Sequence, residues 1–238
     1  MNEKKFDKCE ICGKDLVYLS DLSDTEKVHC SFCGKLYKSN TFCIDGHFIC
    51  DSCHAKGPIQ IIEDFCEKTE LKNPFEIADK IMKYPKFNMY GPEHHVLVPA
   101  VILTALKNNK IKKPNGKEIS FADIKEAIRR SSKIPGGWCG FYGSCGSGMG
   151  SGVTISIFTG ATPSDNEGRT LANEITSRSL AKIADGLEHC CKRSVKISIC
   201  EVLGFLNEKY NIKLDYEPLR CNFSKPNDKC EYEKCPFF

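Results

Sequence analysis

Four closely spaced ligand pairs crowd the first quarter of the chain: Cys9-x2-Cys12, Cys30-x2-Cys33, Cys43-x3-His47 and Cys50-x2-Cys53. A two-residue spacer lets both thiolates of a knuckle face one ion, and eight ligands suffice for two tetrahedral zinc ions. Gly13 and Gly34 each follow a knuckle, where a tight turn favours a residue that tolerates positive φ. Sequential sharing would wrap Cys43, His47, Cys50 and Cys53 around one ion, with only Phe48 and Ile49 between the two pairs. A crossed arrangement relieves that strain and is expected: Cys9, Cys12, Cys43 and His47 on one ion, Cys30, Cys33, Cys50 and Cys53 on the other. Sequential pairing stays open, as does His54 in place of Cys53. So small a module has little core of its own, and metal binding supplies the missing folding free energy.

The remaining thiols gather at the other end. Of the 16 cysteines, seven lie within residues 1–57, one (Cys66) within 58–135 and eight within 136–238. Residues 136–152, GGWCGFYGSCGSGMGSG, hold eight of the 18 glycines together with Cys139 and Cys145. Bare backbone of this kind lets amides approach and hydrogen-bond bridging sulfides, which tunes an iron–sulfur cluster. The stretch lacks the lysine and the strand–loop–helix context of a phosphate loop. Later come Cys190 and Cys191 in HCCKRS, opening a helix, where the helix amino terminus with Lys192 and Arg193 is expected to favour thiolate. The tail adds Cys221-x8-Cys230-x4-Cys235-Pro236 in a charged, turn-rich context. These seven residues, Cys139, Cys145, Cys190, Cys191, Cys221, Cys230 and Cys235, are the expected ligands of one or two clusters of the [4Fe-4S] type. Three cysteines per cluster would leave one iron open to act as a Lewis acid. Glu93, His94 and His95 are candidates for proton transfer, and Lys192 or Arg193 for holding a substrate carboxylate.

The elements that must position these groups read as helices. From Pro58 the spacing turns helical, with Ile59, Ile62, Phe65 and Cys66 on one face, Cys66 being a buried small hydrophobe. A second helix is predicted after Asn73 with Pro74 at its first position and Ile77, Ile81 and Met82 inward. A largely buried helix follows the Gly91-Pro92 turn and runs to about residue 109, with Pro99 in its first turns. Residues 119–133 read as an amphipathic helix, and 107–117, rich in lysine, as a solvated turn. After Cys145, small residues recur at Gly146, Gly150 and Thr154, and at Gly148, Gly152 and Ser156, a pattern that lets another backbone come close. The fold class is therefore a mainly α domain over 58–238 behind a small α+β, zinc-ribbon- or treble-clef-like module over 1–57.

Composition bounds the rest. With 238 residues, 41% hydrophobic and 27% charged, the chain is globular. No apolar run is long enough for a bilayer, and MNEKKFDKCE lacks the apolar region of a signal peptide, so a soluble, cytoplasmic protein is expected. Clustered cysteines in a reducing compartment bind metal or do redox chemistry. The net charge of +3 lacks the footprint of a dedicated nucleic-acid binder.

Three resemblances add to this. CIDGHFICDSC resembles the central part of RING and treble-clef modules, apart from a longer first spacer. GSCGSGMGSGVTISIFTGAT followed by CCKRSVKISIC is similar to the cluster-binding part of [4Fe-4S] L-cysteine desulfidases and L-serine dehydratases, which implies Cys145, Cys191 and Cys200 as ligands. The whole chain, with GPEHH, GGWCGFYGSCG and CCKRS, resembles an uncharacterised cysteine-rich family of archaea and anaerobic bacteria, which implies anaerobic metabolism. The expected function is a cluster-dependent lyase or sulfur-transfer enzyme acting on a small thiol- or hydroxyl-bearing substrate. The alternatives are a non-catalytic metal-binding adaptor or redox-responsive regulator with a protein partner, and an RNA-associated sulfur-transfer factor.

Overall fold

The computed structural model describes residues 8–19, 25–54 and 56–238. Two antiparallel ribbons build the amino-terminal module. Strand β1 (Leu16–Tyr18) pairs with β4 (Thr41–Cys43), Leu16 opposite Cys43, and encloses in sequence the hairpin of β2 (Glu26–His29) and β3 (Leu36–Ser39), Val28 opposite Tyr37. One knuckle precedes β1 and the other forms the turn between β2 and β3, and both have the same local form. The Cys9 and Cys30 amides donate to the Lys14 and Lys35 carbonyls, while the Gly13 and Gly34 amides donate back to Cys9 and Cys30. Gly13 and Gly34 stand at φ +74° and +67°, the left-handed turn that side chains with a Cβ resist. One helical turn, α1 (Asp51–His54), closes the module and carries Cys53.

Helices α2 (Pro58–Lys68), α3 (Pro74–Met82), α4 (Glu93–Asn108) and α5 (Phe121–Ser131) follow. Their starts are encoded locally: the Asn73 side chain accepts from the Phe75 amide, and Ser120 and Asp123 form a reciprocal capping box. On α2 the buried face is Ile61, Ile62, Phe65 and Cys66; Ile62, Phe65 and Cys66 face inward as expected, while Ile59 is 39% exposed and Ile61 takes its place. Cys66 lies in apolar packing, where burial pushes its thiol up to about 12. Residues 107–117 form the turn between α4 and α5, with Lys113 paired to Asp123 at 2.8 Å.

Helix α4 is the axis of the body. Every residue from Glu93 to Leu106 is buried, and α2, α3, α5, α7 (Gly146–Thr159) and α9 (Cys191–Tyr210) pack around it. Pro99 removes the amide that the His95 carbonyl would otherwise receive. Into that gap α7 leans closely: a Cβ on Gly150 would stand 2.9 Å from the His95 carbonyl oxygen and 3.1 Å from Pro99. The second small-residue row, Gly148 and Gly152, faces α8 (Asn166–Ile183), where added Cβ atoms would strike Leu180 and Thr176. Both rows are therefore used, on opposite sides of one helix, and Ser151 and Ser179 share a buried hydrogen bond of 2.9 Å across the second contact. The polar sequence of α8 carries no clear apolar stripe; it is held by this contact with α7 and by packing on α9.

A short helix, α6 (Trp138–Phe141), precedes α7. After α9 the chain runs back without α-helix, over α3 and α9: Tyr216 stacks on Phe75 at 5.6 Å, Lys196 Nζ donates to the Leu219 carbonyl, and Cys221 and Phe237 are joined through the backbone. The module meets the body at Tyr84, whose hydroxyl lies 2.9 Å from the Cys53 carbonyl and whose ring takes Phe32 edge-on. No helix among the described residues is long and apolar enough to cross a membrane.

Replacing Gly150 by Ala should destabilise the fold by about 1–3 kcal/mol, because the added methyl overpacks backbone against backbone. Gly204→Ala on α9, where a Cβ meets nothing within 4 Å, should instead stabilise by about 0.5–1 kcal/mol. Urea unfolding midpoints of the two variants check the pair.

Candidate metal centres

The crossed arrangement is the one the fold builds. Cys9, Cys12, Cys43 and His47 form one group, Cys30, Cys33, Cys50 and Cys53 the other, and within each group all ligand atoms lie within 4.8 Å of one another. Individual separations are 3.9 Å for Cys9 Sγ and His47 Nδ1, 3.5 Å for Cys12 and Cys43, and 3.8 Å for Cys33 and Cys50. Sulfurs about 2.3 Å from a tetrahedral zinc stand about 3.8 Å apart, so both groups could hold a metal ion of that size. His54 stands outside the second group and pairs with the Glu10 carboxylate at 2.9 Å. The Asp45 amide donates to Cys43 Sγ and the Cys50 amide to Cys30 Sγ, bonds that favour charged sulfur. Burial works against them and pushes the Cys9 thiol up to about 11. At Cys50, burial is outweighed by hydrogen bonds from Tyr37 and the neighbouring thiols, and the group falls to about 7.

All sixteen cysteines are free thiols, and the eight beyond the middle are dealt into separate places. The division occurs at Cys190 and Cys191. Cys190 caps α9 and faces the tail, where it lines a recess with Cys221, Cys230 and Cys235. Cys191, one residue on, turns the other way. Cys145 and Cys139 act on it electrostatically, and its Sγ lies 3.5 Å from His189 Nε2. The His189 ring in turn stacks on Tyr90 at 5.3 Å. Cys145 stands at the N-cap of α7 and makes no side-chain cap hydrogen bond, so the first amides of that helix have no capping side chain. Cys139 sits on exposed α6. Cys200 belongs to neither group: nine residues along α9 it is about 14 Å from Cys191.

The expected bias of Cys191 toward thiolate is overturned. Burial pushes it up to about 11, with only the Gly91 amide leaning the other way. Lys192, meant to supply the positive field, is itself 2% exposed and is pulled down to about 8 by burial. It lies over the rings of Phe87 and Phe223 and donates to the Asn88 carbonyl at 3.2 Å. Low dielectric penalises both charges more than the helix terminus repays.

The other candidates are placed as follows. Arg193 is paired with Asp185 at 3.0 Å and with the Glu188 carbonyl at 2.7 Å, so it braces the loop that carries His189. Glu93 accepts from the Asn88 amide and packs over Gly91, where a Cβ would strike its carboxylate. The two adjacent histidines diverge. His94 is fully buried edge-on to Phe87, with Nδ1 on the Gly91 carbonyl and Nε2 without a partner. His95 places Nδ1 on the Ile134 carbonyl at 3.2 Å and lays its ring over Gly146, next to Cys145. Burial lowers both histidines and keeps them neutral. His189 is the residue that spacing alone missed; its adjacency to Cys190 and Cys191 was the signal. Among the described residues, only the two amino-terminal groups gather three or more ligand atoms within 4.8 Å.

A family model described as a family of unknown function (DUF5714) matches residues 62–238. No curated protein and no solved structure matches the chain.

Crossed sharing predicts a specific loss of bound metal. Cys12→Ser combined with His47→Ala should remove one equivalent of Co2+ or Zn2+ per chain, and Cys12→Ser combined with Cys33→Ser should remove two. Metal analysis after dialysis checks this, and sequential sharing would reverse the two results. Because binding must displace thiol protons, affinity at both groups should rise with pH.

Proposed function

The chain belongs to the DUF5714 family, and we propose that it is a zinc-clasped iron–sulfur protein whose reactive centre sits at Cys139, Cys145 and Cys191. In this reading zinc fills the two amino-terminal groups and stabilises the module. The three thiols hold a cluster with one iron left for substrate, and the reaction is an elimination or sulfur transfer on a small hydroxyl- or thiol-bearing acid.

The observation that supports the reading is that Cys139 on α6 and Cys145 ahead of α7 lie near enough to Cys191, at the start of α9, to act on its thiol. A helix start with bare amides offers hydrogen bonds to sulfur. Cys139 is exposed, so a ligand can approach from solvent.

His95 is the proposed base. Its Nδ1 is occupied by the Ile134 carbonyl, which leaves the Nε2 lone pair, and burial keeps the ring uncharged. It would take a carbon-bound proton as hydroxide or hydrosulfide leaves the neighbouring carbon. Glu93 acts indirectly, by fixing the Gly91 turn whose amide reaches Cys191. Arg193 holds the 185–189 loop and Lys192 is enclosed, so neither is assigned a substrate contact.

Protein purified without oxygen should contain iron and acid-labile sulfide, and Cys139→Ala, Cys145→Ala and Cys191→Ala should each remove the same centre. His95→Gln should keep the iron while lowering turnover of a β-hydroxy or β-thiol amino acid by about 10²–10⁴-fold. Unchanged iron in all three cysteine variants would end this reading; zinc alone in the protein would favour the non-catalytic adaptor.

A further inference from the structure

The tail cysteines have no part in that reaction, yet their surroundings are built for a charged group. Two lysines, Lys192 and Lys196, are each only 2% exposed. Neither makes an ion pair among the described residues. Lys196 Nζ has the Leu219 carbonyl at 2.7 Å and the face of Phe237; Asp79, which also faces it, is already engaged by Lys83 at 2.8 Å and Asn222 at 3.2 Å. Buried cations are retained where an anion compensates them. The groups that surround Lys196 are otherwise thiols: Cys221, Cys235 and Cys190.

The sulfurs are prepared for negative charge in the same way as those of the amino-terminal groups. Cys190 Sγ accepts from the Arg193 amide at 3.4 Å and from Asn227 Nδ2 at 3.6 Å. Cys221 accepts from the Phe223 amide and Cys230 from the Tyr232 amide, each at 3.4 Å and each two residues on, as Cys43 accepts from Asp45. Such bonds to thiolate sulfur are standard devices for stabilising and tuning a cluster.

Spacing selects the kind of centre. A single tetrahedral ion about 2.3 Å from each sulfur needs the sulfurs about 3.8 Å apart. Here all four cysteines line one recess, together with Lys192 and Lys196. No three of their sulfurs approach within the 4.8 Å that both amino-terminal groups satisfy.

We infer that Cys190, Cys221, Cys230 and Cys235 ligate a second iron–sulfur cluster, distinct from the one assigned to Cys139, Cys145 and Cys191. Protein fills all of its ligand positions, so it takes no substrate. It binds the tail to α9 and compensates Lys192 and Lys196. The adjacent Cys190 and Cys191 serve different centres, which sets the two clusters side by side. The inference stands whether or not the three-cysteine centre is reactive.

The test is anaerobic reconstitution of the full chain with ferrous iron and sulfide, followed by iron, sulfide and zinc analysis and electron paramagnetic resonance. Cys230→Ser and Cys235→Ser should lose one cluster, Cys139→Ser the other, and Cys139→Ser combined with Cys230→Ser both. The zinc content of each variant should stay at the wild-type level, which reports a folded module. Lys196→Met should retain iron and shift one signal to a lower reduction potential, because a cation that favours the more negative state is gone. Full iron in the tail variants would overturn the inference. So would a combined variant that loses no more iron than either single one, or zinc bound by the tail cysteines in place of iron. Failure at Cys139 alone would remove only the reactive centre.

Discussion

Sulfur carries charge only where something compensates it, and this constraint organises the molecule. Burial raises Cys9, Cys66, Cys191, Cys200 and Cys221 alike, so enclosure by itself yields neutral thiols. What separates Cys66 from Cys9, Cys191 and Cys221 is its surroundings. It has apolar packing, and its thiol is a small hydrophobe. The grouped cysteines have peptide amides aimed at sulfur, other sulfurs opposite and, at the tail, enclosed lysines. Those features cost stability while the sulfurs stay protonated, a cost that metal binding at such groups would offset.

The scaffold that meets this constraint is a helix packed with almost no side chain. Gly146 and Gly150 let α7 settle against His95 and Pro99 of α4, and Gly148 and Gly152 let α8 settle on the opposite side. That closeness fixes where Cys145 stands relative to the start of α9. It also presses the His95 ring against the first turn of α7, beside the thiols. The glycines answer a packing demand: backbone approaches backbone, and the first turn of α7 has no capping side chain.

The module is attached to this body by shared packing rather than by a bare linker. Phe32 and Tyr84 meet edge to face, and Cys30, Cys50 and Cys53 lie in the same apolar cluster as the α2 and α4 residues. Filling the second amino-terminal group therefore acts on the base of the helical body, through Cys53 and the Tyr84 hydroxyl.

Much was legible because it is local. Knuckle spacing, the left-handed glycines after each knuckle, the helix start after Asn73 and the buried run of α4 depend on residues within a turn or two of each other, and so does the strain that disfavours sequential pairing. Both small-residue rows of α7 could be read from their four-residue period, though not which neighbour each would meet. Tertiary structure alone decided what depends on direction and dielectric. It turned Cys190 and Cys191 toward different thiols, left Ile59 of α2 exposed, turned Arg193 onto Asp185 and enclosed Lys192. It also overrode the helix-terminus bias at Cys191, because desolvation depends on every atom packed around a group and sequence neighbours supply only a few of them.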